Sequence, residues 1–356
     1  MTNLVLYVSI ISDSKEGINL KLWYTELDSD CIAYDASVKP RKDIEEIVAI
    51  NFLSFPLSIP SLKYGDDRNS DEYMRKVASK VSKGDVVLIQ TPAYISDEIG
   101  LVNKLHDRGA IVVGLVHDIE YARGFSPDFS DQYKLLKLYD GLVVTGHRIK
   151  AIIQESGISS IPITCMELWP YLTNYVVEHR IEPNNNRIEY AGNLSRSNGL
   201  FSKSLEGIEH VDVWGKQVDR PNSEKTGLVM QHGAVHPDDL PARLYSGYGL
   251  VWYADRKCQD YTKINVSHKA SLYLSAKLPL IVSSSSYLSE LVDKYKIGIC
   301  VDRLDEIPEK LLSRNDYCKY VNNIEEHIYD SISSGSCFTE PFVDLMSKLG
   351  VLESSL

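Results

Sequence analysis

The segment Ile264-Asn-Val-Ser-His-Lys-Ala-Ser-Leu-Tyr-Leu-Ser-Ala-Lys-Leu-Pro-Leu-Ile281 gathers residue types suited to holding an anion. A polar loop turns into an amphipathic helix here and then, through Lys277-Leu278-Pro279, into a buried strand. Ser267 stands at the N-cap position. That puts His268 and Lys269 in the first turn, where free backbone amides and the positive end of the helix dipole favour negative charge. A cation there disfavours the helix by about 0.3–1 kcal/mol, and a diphosphate ligand would offset the cost. A second segment, Tyr190-Ala-Gly-Asn-Leu-Ser-Arg-Ser197, ends a strand in small polar residues. Gly192 permits close backbone approach, and Arg196 offers a planar fork for phosphate oxygens. Taken with Lys269, it suggests two cations converging on one anionic ligand.

Other motifs are missing or misplaced. No G-x-G-x-x-G follows the first predicted strand, and Gly247-Tyr248-Gly249 precedes a strand instead of opening a helix, which ranks a nicotinamide oxidoreductase last. Neither a Walker-type loop nor a G-x-S-x-G elbow occurs. His232 and His236 are four apart, but Gly233 and Pro237 put that spacing on a turn. Asp28-Ser-Asp30 reads as an exposed acidic turn, so no metal site and no cofactor are expected. The six cysteines, scattered without a C-x-x-C pair, read as reduced and isolated.

The elements that must position these residues alternate between strand and helix. Leu4–Ile11, Asp85–Gln90, Ala110–His117 and Gly141–Thr145 read as strands, with helices at Asp71–Ser82 and Ser96–Arg108, the latter stopped by Gly109. After a linker at Ile181–Asn186, strands are expected at Arg187–Tyr190, Val211–Trp214, Gly227–His232, Gly249–Tyr253, Leu280–Ser283 and Gly298–Val301. Helices are expected at His268–Ala276, Ser289–Lys294 and Glu340–Leu349. The pattern predicts an α/β chain of two Rossmann-like lobes, each a parallel doubly wound sheet, with an interdomain cleft for a small ligand. The expected domains are 1–180 and 187–335, with 336–356 a helix packing back on the first.

Composition narrows the classes further. The chain has 356 residues, 44% hydrophobic and 24% charged, as expected of a globular two-domain protein. Its formal net charge of -11 has the wrong sign for binding nucleic acid. No apolar run reaches the ~18 residues of a membrane span, and the opening segment lacks a signal-peptide pattern, so a cytoplasmic location is expected.

The Tyr-Ala-Gly-Asn-Leu loop at 190–194, the H-K-x-S-L-Y-L-x-A-x-L-P stretch at 268–279 and His117-Asp118-Ile119-Glu120 together resemble bacterial GT-B glycosyltransferases. They are most similar to the second-step UDP-hexosyltransferases of serine-rich-repeat adhesin O-glycosylation. The resemblance implies a UDP-sugar donor site in the second lobe and, in the first, a site for a GlcNAc-modified serine-rich protein acceptor. It implies transfer of glucose or GlcNAc, and a homo-oligomer. Lys269 would hold the diphosphate, Asn193 and Arg196 would line the nucleotide side, and the Gly233–His236 turn, with Val235, would face the uracil. The loop Tyr261–Ser267, carrying Asn265 and leading into His268, would order over the donor, with Trp252 and Tyr253 beside the sugar.

Retaining GT-B enzymes commonly carry two glutamates eight positions apart ahead of the G-x-P turn, where this chain has Ile264 and Leu272. An inverting, metal-independent displacement is therefore expected, with a general base in the first lobe. His117, Asp118, Glu120, Asp13 and Glu16 are the candidates, and the sequence does not choose among them. The alternative is a catalytically silent GT-B subunit that binds glycopeptide or another transferase.

Overall fold

The computed structural model describes residues 20–27, 38–60, 71–124, 128–175, 177, 186–192, 208–215, 229–244, 246–311 and 314–352. The expectations at Leu4–Ile11, Asp13, Glu16, Asp28, Asp30, Asn193 and Arg196, and most of the Ile181–Asn186 linker, lie outside these residues. The chain divides into two compact units, one of Met1–Ile32, Arg41–Glu167 and Cys337–Leu356, the other of Ala33–Pro40 and Leu168–Ser336. Among the described residues each unit holds one six-stranded parallel sheet.

The first sheet has the order β2-β1-β3-β4-β5-β6. Its strands are β1 (Leu22–Leu27), β2 (Ser54–Ile59), β3 (Val86–Thr91), β4 (Ile111–Val116), β5 (Gly141–Thr145) and β6 (Ile163–Met166). Helices α1 (Lys39–Asn51), α2 (Asp71–Ala78), α3 (Glu98–Asp107), α4 (Ser130–Leu136) and α5 (His147–Glu155) alternate with them. Every residue of β3 and of β5 is buried, as a parallel strand covered on both faces requires. β1, β2 and β6 add to the strands expected from the sequence. Pro56 obscures β2 as a pattern and is tolerated because, among the described residues, β2 is an edge strand with one neighbour. Asp97, one residue after the expected start at Ser96, caps α3 by accepting from the Gly100 amide at 2.7 Å, and Gly109 ends it at φ +76°.

On one face of this sheet Val87, Ile89, Val112 and Val116 pack with Leu101 and Leu105 of α3 and Ile149 and Ile153 of α5. The last helix of the chain, running from Ser336 to Lys348, belongs to this unit from Cys337 onward. Its Phe342 meets Phe52 edge-on at 5.5 Å and stacks on Phe338 at 5.4 Å. Both Phe338 and Phe342 are fully buried, each contributing about 1.5–3 kcal/mol.

The second sheet has the order β12-β11-β10-β7-β8-β9. Its strands are β7 (Arg187–Ala191), β8 (His210–Trp214), β9 (Val229–Gly233), β10 (Tyr248–Val251), β11 (Leu280–Ser283) and β12 (Gly298–Val301). The helices that bear on the site are α6 (Leu240–Arg243), α7 (Arg256–Tyr261) and α8 (His268–Ser275). Gly247 and Gly249 have packing reasons to lack a side chain. A Cβ at Gly247 would fall 2.2 Å from the Arg187 carbonyl oxygen, and one at Gly249 would fall 2.1 Å from Cγ of Tyr273. The paired glycines are therefore close-approach points around β10 and not a nucleotide fingerprint.

β7 and β8 carry a buried polar cluster on one face. Glu189 and Asp212 are register partners, 0% and 2% exposed. Arg187 lies 3.4 Å from Glu189 and 2.7 Å from Asp212, the Trp214 indole donates to Glu189 at 2.8 Å, and His232 pairs with Asp212. The His232 ring stacks on Trp214 with centroids 4.1 Å apart and planes 12° apart.

Candidate functional site

In the second sheet the chain leaves β7 toward β8 on one side and returns to β10 on the other, making the β7–β10 boundary the topological switch point where open α/β sheets bind ligands. The two strands pair only at Tyr248–Ile188 and Gly249–Glu189 and then part. The phenol of Tyr273 fills the split. It accepts from the Ala191 amide at 2.8 Å and donates to the Leu250 carbonyl at 3.3 Å, so one hydroxyl satisfies two backbone groups that the parting strands leave behind.

Lys269 lies four residues before Tyr273 and shares its helix face. Its Nζ donates to the Tyr190 hydroxyl at 3.0 Å and sits 4.2 Å from the Tyr190 ring centroid and 4.6 Å from that of Tyr253. Burial works against the charge, but the oxygens of Tyr190 and Tyr253 outweigh it and raise the ammonium above its ordinary pKa. A Cβ at Gly192, where φ is +145°, would stand 2.9 Å from Lys269 Cε. The glycine loop after β7 and the first turn of α8 thus meet at Lys269, from segments nearly 80 residues apart in sequence.

Ser267 holds the N-cap position with extended backbone, but its side chain makes no capping bond; its hydroxyl lies 3.0 Å from that of Tyr253. The expected cap is corrected to this extent. The Tyr253 phenol competes for Ser267, and the first-turn amides receive no side-chain acceptor from it. Tyr253 itself lies beyond the end of β10, its amide held by Gln259 Oε1 at 2.9 Å. Trp252 packs against the sheet core. The stretch expected as a loop, Tyr261–Ser267, begins as the last residue of α7, whose start is capped by Asp255.

His268 brings no positive charge to the helix start. Its ring stacks on Tyr171 at 4.9 Å and meets Trp169 edge-on at 6.5 Å. Lys39 Nζ lies 4.9 Å from the same Tyr171 ring, donates to the Leu172 carbonyl at 2.7 Å and pairs with Asp238. Burial first and the Lys39 charge second push the His268 imidazole down to about 3, against a hydrogen bond to the Pro170 carbonyl. That bond leaves Nε2 as the acceptor nitrogen, and among the described residues Nε2 has no partner. Asn265 Oδ1 and Ser271 Oγ are likewise buried without one. The three residues are spaced by three along the approach to α8 and its first turns.

Val235 is half-buried in the turn after β9. Two residues on, the Pro237 carbonyl accepts from Tyr171 at 2.8 Å, and His236 lies 3.5 Å from Asp238, which relates this turn to the Tyr171–His268 stack. His232 and His236 serve different carboxylates, Asp212 and Asp238.

In the first sheet the switch point lies between β1 and β3. These strands pair from Leu22–Val86 to Tyr24–Leu88, after which the Gln90 amide donates to the Thr25 hydroxyl at 3.2 Å. Arg41 grips the next residues, donating to the Gln90 and Pro92 carbonyls at 2.7 Å each, with its guanidinium 4.7 Å from the Tyr94 ring. His117 follows β4, is 8% exposed and lies 2.9 Å from Gln90 Oε1. Asp118 and Glu120 both bind Arg123, at 2.8 and 3.2 Å. Gln132 donates to the Asp118 carbonyl and accepts from the Glu120 amide, fixing the loop. Of the three described base candidates, the two carboxylates are thus engaged by one guanidinium, and His117 is held by an amide.

Sequence reasoning passed over Glu45 on α1. Burial raises its carboxyl to about 7 despite Lys42 at 2.7 Å, with Glu26 adding to the rise. Its only sequence signal was an acidic residue on the apolar face of an amphipathic stretch, Ile44 and Ile47 flanking it.

A glucosyltransferase 3-like N-terminal domain model matches residues 26–168, and the C-terminal domain model of the same family matches 188–344. The chain belongs to the glucosyltransferase 3-like family. Glucosyltransferase 3 of Streptococcus parasanguinis is 21% identical over 318 residues, covering 86% of this chain and 92% of that protein. The β-1,6-galactofuranosyltransferase of Escherichia coli K12 is 28% identical over 248 residues, 67% of this chain and 72% of that one. Among solved structures, the sucrose-phosphate synthase of Thermosynechococcus elongatus superposes with a TM-score of 0.62 at 11% identity, covering 93% of this chain and 99% of that one. The fold is GT-B, and this member of the glucosyltransferase 3-like family is a hexosyltransferase.

Proposed function

We propose that this family member transfers glucose from a UDP donor to GlcNAc O-linked on a serine-rich-repeat adhesin, with inversion and without a metal. GlcNAc is the competing donor sugar. The observation that carries the reading is the convergence of Lys269, Gly192 and Tyr190 at the switch point, beside a helix start that Ser267 does not cap. An ammonium backed by free amides suits the two charges that develop on departing UDP. The neutral polar atoms of Asn265, His268 and Ser271 suit sugar hydroxyls better than phosphate, since a neutral imidazole Nε2 only accepts. Glucose is favoured because the streptococcal relative is named a glucosyltransferase. Inversion is favoured because the Escherichia coli relative is named for a β linkage, which an α-linked nucleotide donor yields only by inversion.

In this mechanism His117 removes the proton of the acceptor hydroxyl as its oxygen attacks the anomeric carbon. The bond to UDP breaks, and Lys269 with the α8 amides stabilises the released diphosphate. Asp118 and Glu120 hold Arg123 and with it the loop. The silent-subunit alternative would leave no reason for the Lys269 box. The expected location is the cytoplasm, and the expected assembly a homo-oligomer, to be measured by light scattering. Titrating UDP into wild type and Lys269→Ala in a calorimeter tests the reading: wild type binds and the variant binds far more weakly. Equal heats from the two, or none from wild type, remove it. Transfer that stops on adding EDTA removes metal independence.

A further inference from the structure

Two hydroxyls meet at the start of α8. The Tyr253 phenol oxygen lies 3.0 Å from Ser267 Oγ, and neither hydroxyl has another hydrogen-bond partner among the described residues. One of the pair donates and the other accepts, so of their two O–H groups one is spent between them and one is left over. A phenol is the stronger acid and the poorer acceptor, which makes Tyr253 the donor and leaves the Ser267 proton unspent. Ser267 is 7% exposed, so water is a poor competitor for that proton. Its own helix offers no use for it either: capping an amide takes a lone pair, and the Ala270 amide already returns to the Ser267 carbonyl at 2.9 Å. An acceptor from outside the chain would satisfy it.

The Tyr253 ring also lies 4.6 Å from the Lys269 ammonium, so one residue spans the cation and the serine. Among the described residues the His268 and Lys269 amides receive no acceptor. Serine hydroxyl, ammonium and amides all offer protons, which suits a ligand that only accepts. We propose that Ser267 donates its hydroxyl proton to an oxygen of the sugar nucleotide's diphosphate, and that Tyr253 is the positioning residue that turns the hydroxyl there by donating to Ser267 Oγ. This deepens the UDP-binding reading above and rests on it. A hydroxyl polarised by a donor becomes a stronger donor itself, so the bond tightens as charge gathers on the departing UDP. Tyr253 is held in turn: its amide donates to Gln259 Oε1 at 2.9 Å, and the Gln259 carbonyl accepts from Thr262 Oγ1 at 2.6 Å.

Calorimetry with UDP, and NMR titration with uridine, test the proposal. Ser267→Ala is expected to weaken UDP binding about ten- to a hundred-fold, the loss of a hydrogen bond to a charged group, and to leave uridine binding unchanged. Tyr253→Phe keeps the ring over Lys269 and removes only the hydroxyl, and is expected to weaken UDP about three- to ten-fold. The double variant is expected within about two-fold of Ser267→Ala, because a phenol with no serine to orient has nothing to add. Ser267→Thr, which keeps the hydroxyl, is expected to recover most of the affinity. UDP binding by Ser267→Ala equal to wild type overturns the contact. Losses that multiply in the double variant overturn the positioning by Tyr253. An equal loss of uridine binding marks a merely structural effect and overturns both. No UDP heat from wild type removes the UDP reading itself, and this proposal with it. Because Ser267 makes no side-chain capping bond, Ser267→Ala is expected to share the wild-type melting temperature. Should it fail to fold, wild-type crystals grown with UDP decide. Ser267 Oγ is then expected within about 3 Å of a phosphate oxygen, and a separation too long for a hydrogen bond overturns the proposal.

Discussion

The Lys269 ammonium donates to the Tyr190 hydroxyl at 3.0 Å while lying 4.2 Å from the centroid of the same ring. One tyrosine thus meets the cation through both its oxygen and its π face, and Tyr253 supplies a second face. The space around it is sized to an ammonium, since a Cβ at Gly192 would already stand 2.9 Å from Lys269 Cε and the wider guanidinium would crowd that loop. Lys269→Arg is therefore expected to recover little of the UDP affinity lost in Lys269→Met, a loss of about 1.5–3 kcal/mol by calorimetry. Full recovery by arginine would show that only charge matters there.

Removing the Tyr273 hydroxyl strands the Ala191 amide and the Leu250 carbonyl. Tyr273→Phe is expected to cost about 1–3 kcal/mol in urea unfolding and to weaken UDP binding, because the end of β7 carries Gly192. Gly249→Ala attacks the same contact from β10, with a Cβ 2.1 Å from Tyr273 Cγ. It should cost at least as much, about 1–3 kcal/mol. Unchanged urea midpoints would deny Tyr273 its bridging part.

Much of the fold was readable in advance because a parallel strand buried on both faces advertises itself. β3, β4 and β5 are dominated by Val, Leu and Ile, with Gly114 the one interruption inside a run. β1 and β2 were not, since Trp23, Tyr24, Thr25 and Glu26 alternate in no simple way and Pro56 argues against a strand unless it is known to lie at an edge. At the candidate site, Lys269 and Gly192 were legible from helix-start and loop chemistry. Tyr253 was placed at the donor but not on Lys269, and Tyr190 and Tyr273 were given no part, because whether an aromatic packs or presents its hydroxyl is a tertiary matter. Charge on His268 was likewise beyond the sequence: Lys39, some 230 positions away, and the aromatic rings around it hold the ring neutral.

Glu45 should make folding sensitive to alkali. Its folded pKa of about 7 lies above the ordinary value of 4.5, so its favourable contribution is complete below about pH 4.5 and lost as pH rises through 7. That rise corresponds to about 3 kcal/mol as an upper figure. Glu45→Gln is therefore expected to be more stable than wild type at pH 8.5, with the gap closing toward pH 4.5. A gap that stays constant across that range would contradict the raised pKa.

His268 has the opposite sign. Its folded pKa of about 3 lies below the ordinary 6.5, so stability is intact above pH 6.5 and drains away as pH falls toward 3. His268→Asn, which does not titrate, should lose on the order of a few kcal/mol less than wild type between pH 7 and pH 4. Parallel unfolding curves would show that His268 protonates as freely as in water.

The face-to-face stack of His232 on Trp214 gives the second sheet an internal fluorophore with its own quencher. An imidazole stacked on an excited indole can dim it, and Asp212 holds that imidazole in place. Emission from Trp214, one of four tryptophans, accordingly gauges the contact with His232 and the integrity of the β8–β9 pairing. Unstacking would brighten it without any label attached, which gives this half of the molecule an optical record of its own unfolding.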